Sequence, residues 1–490
     1  MTKHFLSSLS LFLTFLCLTS SAFGQADSAG GIFTVTTSLP TARMGAVQVA
    51  LPDGRFVAIG GHGIGFVSLN SMLVYQNGTY TEITLPYPAD ACAVSRLQDG
   101  RLLVFGGSSD LGVPAYSDAF IFNPTNNQIT SVGNTNLFRA SSGAATLLDG
   151  RVLVAGAWWV HNNAHTQAEI FSPTSNTFSL SGTLNFPRSL PIVIPTSDSN
   201  AVVIGGSTPT GDIASQAIEK FNRTSNTFSI LRNHLIPADT TIKVGNIGRL
   251  IIDEFRLNDG RYILPAWREV NNVSFPELVA FNPTTLVAER LAITPPLPSS
   301  ADNVEFITGV YDRTRNNVYL LAVNITDPRK IRLYTINLAT LQRTNPTGWY
   351  NYGDYPYVAI FRVLPNGTLF LGGGTTDGSN FSASNRAVLI TPTLLSHQEP
   401  QVPKSFLLHQ NYPNPFNPST TIAYTLPVAS DVRLDVFDVL GRKITTLVNS
   451  KQPSGDYSVT FNASNLASGV YFYRLQAGSF VQTKKMLLIK

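Results

Sequence analysis

The stretch LPDGRFVAIGG (Leu51–Gly61) returns as LQDGRLLVFGG (Leu97–Gly107) and again as LLDGRVLVAGA (Leu147–Ala157). Asp-Gly between two alternating apolar runs is a hairpin signal, because a type I′ turn needs the positive φ that glycine adopts freely. Asp53, Asp99 and Asp149 stand 46 and 50 residues apart, the length of one four-stranded repeat unit. Weaker copies at Asn200–Gly206, Asp259–Ala266, Asn316–Val323 and Asn366–Gly374 bring the count to seven. Each copy continues through its glycines into a variable loop and a third strand, as at Ala119–Phe122, Ala168–Phe171 and Leu278–Phe281. A tight turn (Asn123-Pro124-Thr125, Ser172-Pro173-Thr174, Asn282-Pro283-Thr284) then leads to a fourth strand. The pattern predicts an all-β chain whose main body is a seven-bladed β-propeller.

The last copy, after Arg386–Ile390, runs out of sequence before its fourth strand. The missing strand is found at the other end. Phe178 to Arg188, Ile129 to Arg139 and Phe33 to Arg43 share one ten-residue spacing, so Ile32–Thr36 reads as a fourth strand without a blade. Pairing it into the seventh blade closes the ring and removes the exposed sheet edges.

The gross composition agrees. A chain of 490 residues is too long for one ordinary core. Apolar residues at 43%, charged residues at only 13%, 37 Gly and 30 Pro fit a turn-rich β protein with much to bury. The net charge of +4 is spread without a basic stripe, so nucleic acid is not an expected partner. Residues 1–24 read as a secretory signal peptide: Lys3, the apolar run Phe5–Leu18, then Ala22 and Gly24 before Gln25. Leu16 stands where a small residue precedes a lipidated Cys17, which argues against a lipoprotein. Removal of that segment leaves Cys92 alone, so no intramolecular disulfide is expected. No other segment is long and apolar enough to span a membrane.

The hydrophobic-Gly-Gly strands and the Arg opening the next unit, as at Arg43, Arg139 and Arg188, resemble the kelch family over roughly Gly31 to Thr393, within a propeller expected at 25–393. The family's fourth-strand Trp is replaced by Phe178, Phe228 or other apolar residues. The resemblance specifies fold more than function.

After a Pro- and Gln-containing linker at 394–405, residues 406–490 carry their own β pattern, with strands near Thr421–Leu426, Val432–Asp438, Tyr457–Phe461, Val470–Leu475 and Gln482–Ile489. Asn411-Tyr412-Pro413-Asn414-Pro415-Phe416-Asn417-Pro418 resembles the opening signature of type A sorting domains of the type IX secretion system. The segments Val436–Arg442, Leu466–Tyr473 and Lys484–Met486 continue the resemblance in order. It implies a small immunoglobulin-like sandwich, passage across the outer membrane with the type IX machinery as partner, and delivery outside the cell or onto its surface. An ordinary carbohydrate-binding or fibronectin-like sandwich is the alternative.

Strand parity places all long loops on one face, opposite the Asp-Gly and Asn-Pro-Thr turns. Trp158, Trp159, Trp267 and Trp349 fall there, with the Tyr group Tyr350, Tyr352, Tyr355 and Tyr357. Such rings either stack on sugars and anchor proteins, or fill the top of the channel and cover loop backbone. His62, His161, His165 and His234 share the face, but no Cys or acidic residue completes a spaced ligand set, so no metal or other cofactor is expected. Arg139–Gly156 with Trp159 resembles the central repeat of galactose oxidase, a copper-radical enzyme, and Cys92 lies near its cross-linking cysteine. Ser141, however, occupies the position of the radical tyrosine, which disfavours that oxidation. No nucleophile elbow, zinc-protease helix or phosphate loop is present, and the glycine pairs repeat once per blade as packing residues. The expected function is binding of an extracellular glycan or protein on the long-loop face, with His62, His161, Trp158, Trp159, Trp267, Trp349, Tyr352 and Tyr355 as contacts. The alternative is a polysaccharide hydrolase or lyase using carboxylates such as Asp253, Glu254 and Glu269.

Overall fold

The computed structural model describes residues 28–489 apart from 109–115, 158–165, 199, 208–215, 238, 245–250, 272, 379–381, 394–405, 429 and 453–454. The expected signal peptide and linker lie outside the described residues. Seven antiparallel sheets follow one another and are numbered one to seven in chain order. Their innermost strands are Val47–Ala50, Ala93–Arg96, Gly143–Thr146, Ile192–Pro195, Ile242–Val244, Val304–Asp312 and Ile360–Val363. In sheets one to six the chain meanders outward strand by strand. The chain is thus all-β, with many four-stranded antiparallel sheets, consistent with a β-propeller.

Sequence and burial match closely in the second strands. Phe56–Ile59, Leu102–Phe105, Val152–Ala155 and Ala201–Ile204 are buried at every position. Both faces of each sheet are covered by its neighbours, which demands continuous apolar runs rather than alternation. The seventh sheet takes its fourth strand from the other end of the chain. Gly31–Val35 pairs antiparallel with Ala387–Pro392, in the register Phe33↔Ile390.

The Asp-Gly turns are of a different type from the one expected. Gly54, Gly100, Gly150 and Gly260 have φ of 85–90°, whereas the aspartate before each does not adopt positive φ. The Gly54 amide donates to Leu51 O (3.1 Å) and the Leu51 amide to Arg55 O (2.7 Å), a type I turn closed by a left-handed glycine. The aspartate has a separate task. Asp53 Oδ1 accepts from the Arg55 amide and Oδ2 from Arg55 Nε, and Asp99, Asp149 and Asp259 hold Arg101, Arg151 and Arg261 in the same way. This clamp accounts for the Arg that follows each Asp-Gly.

The Arg residues that open sheets one, three and four, Arg43, Arg139 and Arg188, are fully buried. Arg139 and Glu169 pair at 2.9 Å with neither side chain exposed, and Arg188 pairs with Glu219 at 2.7 Å likewise. Arg139 Nη1 also donates to Gly156 O, and Arg188 Nη1 to Gly205 O, so the glycine carbonyls that end the second strands are satisfied. Glu169 accepts the Asn136 and Leu137 amides, and Glu219 those of Asn185 and Phe186. Burial lowers the pKa of both guanidinium groups, partly countered by the paired carboxylates.

Sheet five departs from the pattern. Ile242–Val244 pairs with 266–268, but the chain then leaves the sheet and returns at Arg256, which bridges Tyr262. Between them, a 3₁₀ turn at Ile252–Phe255 carries Asp253 and Glu254 to the hairpin end of the other innermost strands. Glu254 Oε1 accepts the Ala50 amide (2.6 Å), Oε2 pairs with Arg362 Nη2 (2.5 Å), and Arg96 stands 4.0 Å away.

The C-terminal region forms two further sheets. Leu407–Leu408, Ser419–Leu426 and Gly455–Asn462 face Lys443–Gln452, Ser430–Phe437, Gly469–Ala477 and Phe480–Leu488 across a core including Leu408, Ile422, Tyr424, Leu434, Val436 and Tyr473. Buried Asn411 organises the Pro-rich opening. Its amide donates to Tyr473 Oη (2.8 Å), and its Nδ2 to Pro413 O and Thr420 Oγ1.

Candidate functional site

Just before the innermost strands of sheets one, two, three, four and seven, one residue adopts left-handed backbone geometry: Gly45, Ala91, Ser141, Leu190 and Val358, with φ between 48° and 70°. Four of these are not glycine, and left-handed Leu or Val is strained. The strain joins sheets. The Gly45 amide donates to Val358 O (2.9 Å), Ser141 to Ala91 O (2.8 Å) and Leu190 to Ser141 O (2.7 Å). Because the geometry recurs from sheet to sheet, it reports assembly rather than a single reactive residue.

Ala91, Ser141 and Leu190 border a cavity of about 450 Å³, within the usual range of small-molecule sites. Sheets one to six contribute its wall, which is mainly apolar: Val47, Val94, Ile192, Val193, Ile263 and Leu320 are examples. Ile251, Ile252 and Phe255 from the 3₁₀ segment also border it, while Asp253 and Glu254 do not. Burial raises the Asp253 carboxyl pKa, with Glu254 adding to the effect and Arg96, Arg256 and Arg313 opposing it.

Trp267 lines the cavity from sheet five, opposite Lys243 and Pro276 in the strand register. Two carboxylates share the wall. Glu277 is matched by Arg268 (3.3 Å) and Arg290 (2.6 Å). Glu305, exposed on sheet six, accepts a hydrogen bond from the Tyr357 hydroxyl (3.1 Å), whose pKa is pushed up to about 12, chiefly by burial and then by the Glu305 charge. Two wall residues, Ser141 and Thr308, carry buried hydroxyls without a hydrogen-bond partner.

The other expected contacts lie elsewhere. Trp158, Trp159, His161 and His165 lie outside the described residues. Trp349 is half-buried beneath the Arg332 guanidinium (3.9 Å) and packs with the cluster around Tyr334. Tyr352 is fully enclosed, its hydroxyl 3.0 Å from Gly373 O and Arg386 O, so its ring packs against protein rather than facing solvent. Tyr355 lies against Gly378. His62 is buried 3.4 Å from Asp90 and against the Phe66 ring, away from the cavity wall. His234 Nδ1 meets Gln216 Oε1. Of the eight expected contacts, Trp267 alone is seen to line the cavity among the described residues. Glu277, Glu305 and Thr308 were not singled out by sequence reasoning, because only the relative placement of sheets five and six brings them together; Tyr357, of the expected Tyr group, reaches Glu305 from outside the wall. Among the described residues no group of three or more His, Cys, Asp or Glu is placed to hold a metal ion.

Comparison with known proteins separates the two parts of the chain. Residues 410–490 match the family described as secretion system C-terminal sorting domain. This indicates export and implies the type IX secretion machinery as partner. No curated protein matches the chain. Among solved structures it is similar to a novel fungal alcohol oxidase with catalytic diversity among the AA5 family, in complex with copper. The TM-score is 0.56 at 13% identity, covering 94% of this chain and 100% of that one. At that identity the likeness concerns fold alone. No helix among the described residues is long and apolar enough to cross a membrane.

Proposed function

We propose that the chain is a secreted binding module: a seven-bladed, kelch-type propeller over 25–393, a linker over 394–405, and an immunoglobulin-like sorting domain over 406–490. In this reading the long-loop face engages an extracellular glycan or protein above the central cavity. The observation that carries it is Trp267, an aromatic ring bordering a cavity at the meeting of six sheets. Flat rings with a polar edge serve both sugar stacking and protein anchoring. Trp158, Trp159, Trp349, Tyr355 and His161 remain candidate contacts of that face.

The residues present do not fit the copper of the fungal oxidase. Ser141 holds the position that the galactose oxidase resemblance gives to a tyrosine, and among the described residues the cavity wall carries no His. No step is therefore drawn through that metal. The rival reading, a polysaccharide hydrolase or lyase, draws on carboxylates such as Asp253 and Glu254, the first of which burial holds toward its protonated form. Against it, Glu254 is engaged by Arg362 and Ala50, and neither carboxyl borders the cavity.

A glycan array and reducing-sugar release on one polysaccharide panel separate the two. Capture without release is expected, and release of sugar ends would favour the hydrolase. Trp267→Ala should weaken capture by roughly 1–3 kcal/mol, typical of an aromatic hot spot. Thr125→Ala on the opposite face should leave capture unchanged. If Trp267→Ala lowers the melting temperature in step with capture, the ring is structural.

A further inference from the structure

We infer that the central cavity takes a small apolar molecule bearing a positive charge, an arylalkyl- or alkylammonium. Three observations converge on this class. First, most of the wall is aliphatic, and its floor residues Ile251, Ile252 and Phe255 add no charged group. An apolar body fits such a wall, whereas a polyhydroxylated ring would leave its hydroxyls unpaired.

Second, charge on the wall has one sign. Among the described residues, Glu277 and Glu305 line the cavity, and no Lys, Arg or His does. Glu277 is neutralised by Arg268 and Arg290, but Glu305 faces only the neutral Tyr357 hydroxyl and has no cationic partner among the described residues. Glu305 is solvated, but its negative charge at the edge of an apolar cavity attracts a cation held there and gives a neutral ligand nothing. Trp267, on the adjoining sheet, lines the same cavity, and an aromatic ring is a favourable neighbour for a cation. Sheets five and six are tied at this rim by the Ser274 amide donating to Ser300 Oγ (3.0 Å), so the two walls are held together.

Third, the hydroxyls of Ser141 and Thr308 lack partners. Thr308 shares the strand Val304–Asp312 with Glu305, so its oxygen can accept from an ammonium held there, while Ser141 on sheet three can meet another polar atom of the ligand or water. A neutral ligand of the same shape would gain nothing from the Glu305 charge, and an anionic one would be repelled by it. The inference does not rest on the nature of any macromolecule held at the long-loop face, and either can fail alone.

The test uses three fluorescent probes of nearly one shape: 1-naphthylmethylammonium, 1-naphthalenemethanol and 1-naphthoate. On the full chain the cation should bind roughly tenfold tighter than the alcohol, as a partly desolvated cation–π and carboxylate site would give, and the anion most weakly. Glu305→Gln should abolish the cation's advantage while leaving the alcohol's affinity unchanged. Ala144→Phe, which fills the cavity, should remove binding of both, and Ala93→Leu serves the same end if that variant fails to fold. Equal affinities for cation and alcohol, a preference that survives Glu305→Gln, or no binding of any probe would each overturn the inference. Glycan-array capture measured on Glu305→Gln separates the two proposals. Retained capture with the cation preference lost supports this one, and retained capture with no probe binding to the unsubstituted chain leaves only the long-loop reading standing.

Discussion

Arg139 and Glu169 illustrate how single side chains hold this molecule. Each is fully buried, and each satisfies backbone groups of a neighbouring segment as well as its partner. Removing one member leaves the other charged in a low-dielectric setting, which costs about 3–5 kcal/mol. Arg139→Met should therefore destabilise strongly, and denaturant unfolding checks it. The pair of changes Arg139→Met with Glu169→Leu should recover part of the loss, because no orphaned charge remains. Asp53→Ala, by contrast, breaks an exposed clamp with Arg55 and should change stability by about 1 kcal/mol or less. An equal loss in Arg139→Met and Asp53→Ala would contradict the assignment of the buried pairs as the main inter-strand anchors.

At the level of elements, the strand Gly31–Val35 covers the open edge of Ala387–Pro392. Deleting residues 32–36 should expose that edge, lower the melting temperature and promote self-association, as unpaired edges do. Light scattering and thermal unfolding measure both, and a monomer with unchanged melting would refute the closing role. This strand was legible in the sequence because Phe33 and Arg43 keep the spacing of Ile129 and Arg139. The hairpins were legible too, although not their type, since Asp-Gly serves type I′ and bulged type I turns alike. The 3₁₀ segment was not legible. Sheet five loses the repeat between Val244 and Arg256, so nothing in periodicity says where Ile252–Phe255 goes. The site was legible only in part. Trp267 follows from loop parity, but Tyr352 follows Trp349 in the same run and is nonetheless enclosed, because its hydroxyl is needed by the Gly373 and Arg386 carbonyls.

For the whole molecule, the ordered motifs from Asn411 to Met486 and the family match at 410–490 locate the export function in the tail. A reporter fused to residues 405–490, behind a secretory leader, should reach the cell exterior in a host with type IX secretion. The chain truncated after residue 393 should accumulate in the periplasm. Cell fractionation reads both, and equal delivery of the two would contradict the division of labour. Ligand capture should be the same with and without the tail, since among the described residues no tail residue borders the cavity.

Glu254 gives the proposed ring an inner staple. A ring held only along its rim can open by parting one seam, and the vulnerable seam is the one where the two ends of the propeller chain meet. Ala50 and Arg362 sit on opposite sides of that seam, in sheets one and seven, and Glu254 grips both from the 3₁₀ turn that precedes Tyr262–Val270 of sheet five. Closure is therefore wired to a part of the chain distant from either end. The seam cannot gape without breaking contacts made by that turn, and the turn cannot loosen without unfastening the seam. Opening becomes a concerted event of the whole wheel instead of the peeling of one segment, with a single carboxylate as its hub.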